Sequence, residues 1–279
     1  MDKKNFTYYG LSVVFILLAI LFSVDADWAP LYRNPLPFVF FAGLLTLCAF
    51  LRIEVSRGNW VSFRDAAGFA ALLSFGPAFA AAAYLVGMLV QLVWHRRDIF
   101  NRLVLMAAGM VVYFVSGWVY FDLFRGSPGL AGGAGDILAA LVVAFIFWLV
   151  DRVCTFAVLS ASGERRMEEF FGQLRPFAMS LPPQYIWGIV AAVLFQRCGY
   201  LLTGVFALLL IIVFIFARSQ KEYLDSLRDM VFSLAKMIDA RDSYTAKHSH
   251  DVAEASRRIA REIGLAEREA QGIYEMELL

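Results

Sequence analysis

Long apolar runs fill the first three quarters of the chain, and charged residues gather in the short gaps between them. A bilayer core of about 30 Å takes about 20 apolar residues in helical form. Residues 8–24, 36–51, 103–124, 137–159, 177–195 and 200–216 each read as such a span. Lys3 and Lys4 before the first run give it the look of a signal peptide. No small-x-small cleavage pattern follows, and further spans come at once, so it is read as a span.

The stretch 66–94 is too long for one crossing and is interrupted by Gly76-Pro77. Proline has no N–H for the helical ladder, so a break is expected there. Residues 66–75 make only about 15 Å of helix, short of a crossing, whereas 78–94 can cross. Two readings stay open: a tight helical hairpin, or a re-entrant first half. The expected fold is all-α, a polytopic transmembrane bundle of about seven to eight helices followed by a cytoplasmic helical tail.

Charge placement orients this layout. With the N-terminus inside, the inner connections hold Lys3, Lys4, Arg52, Arg57, Arg64, Arg96, Arg97, Arg102, Arg152, Arg165, Arg166 and Arg175. The outer ones hold only Arg33, Arg125 and Arg197. That asymmetry is the positive-inside pattern and puts both termini in the cytoplasm. The uncharged outer link 126–135 (GSPGLAGGAG) fits a short external connection.

Composition narrows the function classes. Of 279 residues 60% are hydrophobic and 18% charged, against about 45–50% and about 25% in soluble domains. A water-soluble enzyme over the whole length is excluded, and so is a disordered chain. The formal net charge of +1 offers no field for DNA or RNA. Three cysteines without a CxxC pair exclude a disulfide framework and a zinc ribbon.

Polar residues inside the apolar runs are the candidate ligand-sensing positions: Asp151 and Arg152, and the break at Gly76 and Pro77. A charge at membrane depth pairs or lines a cavity, so Asp151 and Arg152 are either part of a pocket or an anchor at the inner interface. As sequence neighbours they are expected each to find a partner elsewhere or to snorkel to the inner face. Asp65 suits an N-cap or first-turn position, and Asp122 the outer interface. Gly109 and Gly117, with Ala107, Ala108 and Ser116, form a small-residue packing face.

The composition changes after Phe216, which divides the chain into a sensor-like membrane domain (1–216), a signalling helix (217–239) and a tail (240–279). Leu224, Leu227, Val231, Leu234 and Ile238 step by three and four, the seam of a coiled coil. Such a row either pairs two copies of the chain or packs on its own domain. Asp242, Ser243 and Thr245 interrupt the periodicity. Val252, Ala255, Ile259 and Ile263 restore a helical face, and Gly264 suits a left-handed C-cap. A second short helix follows over 266–279. His248, beside the turn, is either a plain polar residue or a metal ligand.

The run 234–265, LAKMIDARDSYTAKHSHDVAEASRRIAREIGL, resembles the opening of bacterial HD-GYP domains, cyclic-di-GMP phosphodiesterases among the HD metal-dependent phosphohydrolases. Ala240, Asp242, Tyr244, Thr245, His248, Ser249, Val252 and Ala253 stand at the positions of A-x-D-x-Y-T-x-x-H-S-x-x-V-A, and Ile259, Ala260, Gly264 and Leu265 match the segment that follows. The resemblance implies that His248 is a metal ligand. Tyr244 replaces the glutamate of some members, implying two divalent ions of iron or manganese type, not three. His250 matches no family ligand.

The His-Asp pair that names the family would begin after Leu279, so the resemblance covers only the threshold of the domain. It implies no catalytic residue and no bound metal in this chain, and a cyclic dinucleotide substrate only in a complete domain. The expected function is therefore the sensor region of a bacterial inner-membrane signalling protein, multi-pass and dimeric through the seam. The alternative is a transporter-like or substrate-binding membrane protein with an incidental tail.

Overall fold

The computed structural model describes residues 3–56, 59–94, 99–124, 134–162, 168–241 and 243–277. Side chains are described for these residues except 3–7, 52–56, 59–62, 168–183, 238–241, 243–249 and 268. The chain divides into two compact units, Met1–Ile212 and Val213–Leu279.

The first unit opens with α1 (Lys3–Val24), the short α2 (Ala29–Arg33) and α3 (Pro35–Phe50). Hydroxyls on these helices turn back to the carbonyl four residues earlier. Ser12, Ser23 and Thr46 each donate across 2.7 Å to Tyr8, Ala19 and Ala42. A helix can thus carry a hydroxyl into an apolar solvent without leaving it unpaired.

An element absent from the sequence expectation follows. Residues Arg52–Ser56 (β1) and Asn59–Ser62 (β2) pair antiparallel, Arg52 opposite Ser62 and Ile53 opposite Val61. The architecture is all-α as expected, with this short hairpin the exception among the described residues. Arg52, Glu54 and Ser56 alternate with Ile53 and Val55, a period-two pattern too short to stand out beside the apolar runs.

Next come α4 (Arg64–Phe75) and α5 (Pro77–Trp94), joined by Gly76 at φ 96°. Only glycine adopts that backbone cheaply, and Pro77 suits the first position of the next helix. Arg64 lies over the Tyr84 ring at 5.4 Å, and Phe75 stacks on Phe79 at 4.3 Å. The start of α4 therefore lies beside the middle of α5, and the pair is an antiparallel hairpin.

Asp65 to Ser74 are all buried, so α4 is enclosed on every side. Its alanines and Gly68 let neighbours come close. Ala67 packs with Ala42, Leu45 and Ala83, and Phe69 meets Phe147 at 5.7 Å and Tyr185 at 5.4 Å. A Cβ at Gly188 would stand 2.8 Å from the Ala66 carbonyl oxygen.

Helix α6 (Ile99–Trp118) continues into a π-turn, Val119–Leu123, closed by Phe124 N–H donating to Val119 O at 3.1 Å. Helix α7 spans Ala134–Ala161 and α8 Glu168–Arg241. Gly199, at φ 70° and ψ −159°, breaks α8 into two limbs. Trp187 and Phe206 face each other at 5.2 Å, whereas an unbroken helix would hold them about 28 Å apart. The chain thus folds back at Gly199, as the separate spans 177–195 and 200–216 require.

Among the described residues four helices are long and apolar enough to cross a membrane: Pro77–Trp94, Ile99–Leu123, Ala134–Ala161 and the Gln184–Met237 stretch of α8. Tyr8–Val24 and Pro35–Phe50 are shorter apolar helices. Their outward faces carry large apolar side chains, among them Leu17, Leu21, Leu138, Phe145, Leu201 (79% exposed) and Leu208. Water would make such a surface associate, while lipid solvates it.

The second unit holds the end of α8 with α9 (Ser243–Glu262) and α10 (Glu267–Glu277). Gly264, at φ 83°, caps α9 as the sequence predicts. Gly264 N–H donates to Arg261 O and Leu265 N–H to Ala260 O, both at 3.0 Å, the paired bonds of a Schellman motif. The predicted apolar face of α9 is corrected. Ala255, Ile259 and Ile263 are exposed, and Ala253 and Ala260 are buried instead. Small alanines allow close helix contact, while Arg257 lies over the Tyr274 ring at 5.1 Å.

Candidate functional site

The two ends of α4 meet different chemistry. At its start, Arg64 and Asp65 form an ion pair at 3.1 Å, with Asp65 only 9% exposed. Asp65 stands in the first turn, where its charge complements the helix N-terminus. Arg64 also reaches the Met88 sulfur at 3.5 Å. On α7, Arg152 pairs with Asp151 itself, which corrects the expectation of separate partners. The long arginine folds back onto its neighbour's carboxylate, and the pair is mostly buried.

The two pairs lie within electrostatic reach of each other, Arg64 of Asp151 and Arg152 of Asp65. The result is a four-charge cluster of zero formal charge, neutralised within itself as a low-dielectric interior demands. Tyrosines enclose it. Tyr84 and Tyr113 lie 5.3 Å apart, Tyr113 meets Phe147 at 5.1 Å, and Phe147 meets Tyr185 at 5.7 Å.

Glycines make room for these rings. A Cβ at Gly68 would stand 2.8 Å from Tyr113 Cζ and nearer still to its hydroxyl. At Gly109 it would stand 2.5 Å from Tyr84 Cζ, and at Gly117 the same distance from Pro77 Cβ. The small-residue face of α6 therefore receives the Tyr84 ring and Pro77, while Gly68 of α4 receives the Tyr113 ring of α6.

The other end of α4 opens on a cavity of about 480 Å³. Gly76 and Pro77 form part of its wall, with Asp25, Asp27 and Asp122. Its apolar lining is aromatic: Phe22, Phe75, Phe114, Trp118 and Phe121. Two backbone irregularities meet here, the break at Gly76 and the π-turn of α6, and π-turns recur at functional positions. Ser74, Ser116 and Tyr120, each next in sequence to a lining residue, carry buried hydroxyls with no hydrogen-bond partner among the described residues.

The sensing candidates thus fall into two places, Gly76 and Pro77 at the cavity and Asp151 and Arg152 in the charge cluster, with α4 running between. Sequence reasoning missed the roles of Arg64, Tyr84, Tyr113 and Tyr185, which only tertiary packing brings together. It placed Asp122 at an interface without the cavity it borders.

In the second unit, Leu224, Leu227, Val231 and Leu234 of the seam are exposed. Ile238 and His248 lie among residues whose side chains are outside the described set. His250 is exposed, its ring edge-on to Tyr274 at 6.3 Å. Among the described residues no group of three His, Cys, Asp or Glu could hold a metal ion. Glu254 and Arg257 pair at 2.8 Å, Arg228 pairs with Glu275, and Arg261 donates to Glu267 at 2.9 Å. Accepted hydrogen bonds, from Arg257 to Glu254 and from Arg261 to Glu267, hold both carboxyls below their ordinary value of 4.5.

Comparison with family models, with curated proteins and with solved structures gives no match.

Proposed function

We propose that this chain is the membrane sensor part of a bacterial inner-membrane signalling protein whose tail opens an HD-GYP-type domain. In this reading seven to eight helical passes lie in the bilayer, with the charge cluster toward the cytoplasm and the cavity outward. A ligand in the cavity presses on the end of α4, and α4 carries the displacement to the charge cluster and to the first limb of α8. The second limb passes it to the tail as a change in pairing between two copies of the chain. Hydrolysis of a cyclic dinucleotide would be the work of a complete domain with its two metal ions, which supply the activated hydroxide.

The observation that carries this reading is the exposed row Leu224, Leu227, Val231 and Leu234 on a limb that is helical from 200 to 241. A coiled-coil seam left open on one copy fits closure by another. The residue pattern over 234–265 supports the type of output, and the charge asymmetry supports the orientation. Oxidising native membranes that carry Val231→Cys tests the pairing. Covalent dimers are expected from Val231→Cys and not from Asp229→Cys, on the opposite face. Absence of dimers from both would remove the signalling-helix reading.

The break between α4 and α5 and the buried charges favour a second reading, a transporter-like or substrate-binding protein. Solute uptake into vesicles holding the purified chain would support it against the first.

A further inference from the structure

We infer that the cavity at the Gly76–Pro77 break binds an organic cation, an alkylammonium or quaternary ammonium group. The inference rests on the sensor reading, whose ligand it assigns to a chemical class. Two features of the cavity act in one direction. Asp25, Asp27 and Asp122 give it negative charge, and among the described residues no lysine or arginine lines it. Phe22, Phe75, Phe114, Trp118 and Phe121 supply its aromatic side chains, and a cation over an aromatic face is attracted by the ring quadrupole.

The carboxylates do not suit a metal ion. They are not part of any group of three that could hold one, and Asp27 is engaged by the Ala29 N–H at 2.9 Å. A diffuse cation needs no convergent ligand set, only negative potential and ring faces. A volume of about 480 Å³ suits a small molecule. Two other clefts, one lined by Ile16 and Met106 and one by Val39 and Phe50, have no charged residue in their walls.

The full chain in phosphatidylglycerol nanodiscs, which contain no ammonium headgroup, provides the test. Choline and its neutral carbon isostere 3,3-dimethylbutan-1-ol are titrated by calorimetry against empty discs. Saturable choline binding is expected, with the neutral isostere weaker by about tenfold. Asp122→Asn and Trp118→Leu, both at exposed positions, should each weaken choline by about fivefold while the melting temperature stays unchanged. Discs containing phosphatidylcholine separate the sources. Loss of choline binding there assigns the site to a lipid headgroup, and retention assigns it to a soluble cation.

Equal binding of the neutral isostere, or no saturable binding of choline, would overturn the inference. If Val231→Cys still yields dimers in that case, the sensor reading stands without this ligand. If choline binds and no dimer forms, the ligand class stands and the sensor reading falls.

Discussion

Gly68 lies where α4 meets α6, against Tyr113, which is 2% exposed. Gly68→Ala places a methyl group 2.8 Å from Tyr113 Cζ, and closer still to the hydroxyl. Neither side can give way freely. Tyr113 is held between Tyr84 and Phe147, and α4 is enclosed on all sides. Overpacking of this kind costs about 1–3 kcal/mol, and full enclosure puts it at the upper end. Alanine in place of a helical glycine returns about 1 kcal/mol. A net loss of about 2 kcal/mol lowers the melting temperature of a unit of this size by about 4–8 °C. Unfolding of the full chain in detergent, in a Cys198→Ser background, is followed by a thiol-reactive dye that reports exposure of Cys48 and Cys154, both buried. Adding Tyr113→Phe removes the nearest atom and should recover part of the loss. Gly43→Ala, where the new methyl meets nothing within 4 Å, should be neutral or stabilising. Equal shifts for Gly68→Ala and Gly43→Ala would refute the packing argument.

Asp65→Asn removes one carboxylate from the charge cluster and leaves Arg64 and Arg152 sharing Asp151. With the pair only partly solvated, a loss of about 2 kcal/mol is expected, and a melting temperature equal to wild type would contradict a coupled cluster. In the second unit, Glu254 and Glu267 titrate below their ordinary value, so the folded tail binds fewer protons than the unfolded one. Their contribution is complete above about pH 4.5 and is lost as pH falls through the lowered values. Hydrogen-exchange protection of α9 and α10, corrected for intrinsic rates, should hold from about pH 7 to about pH 5 and fall below about pH 4.5. Protection unchanged at about pH 3, or the same fall in Glu254→Gln with Glu267→Gln, would contradict the pairing.

The helices were legible because lipid imposes a simple rule, about 20 apolar residues per crossing, and four helices among the described residues meet it. Gly76-Pro77 announced a break for a local reason, a missing N–H beside a residue free to take positive φ. Gly264 announced a cap in the same way. The β1–β2 hairpin escaped because its strands are short and lie between louder signals. The charge cluster was legible only in halves: Asp151 and Arg152 stood out as charges in an apolar run, while Arg64 and Asp65 read as a helix start. Nothing in the order of residues shows that α4 and α7 meet. The tail shows the limit most sharply, because Ile259 and Ile263 have the right period for a core and yet face outward. Periodicity finds a face, but the partner decides whether that face is buried.

A native cysteine allows the most direct measurement of the membrane account. Cys198 is exposed beside the Gly199 fold-back, whereas Cys48 and Cys154 are buried. A membrane-impermeant maleimide added to intact cells should label Cys198 from outside. In a Cys198→Ser background, Leu224→Cys should be labelled only after the membrane is opened. Labelling of Leu224→Cys from outside, or of Cys198 only after opening, would contradict a bundle that turns at Gly199 on the outer side and delivers its tail to the cytoplasm.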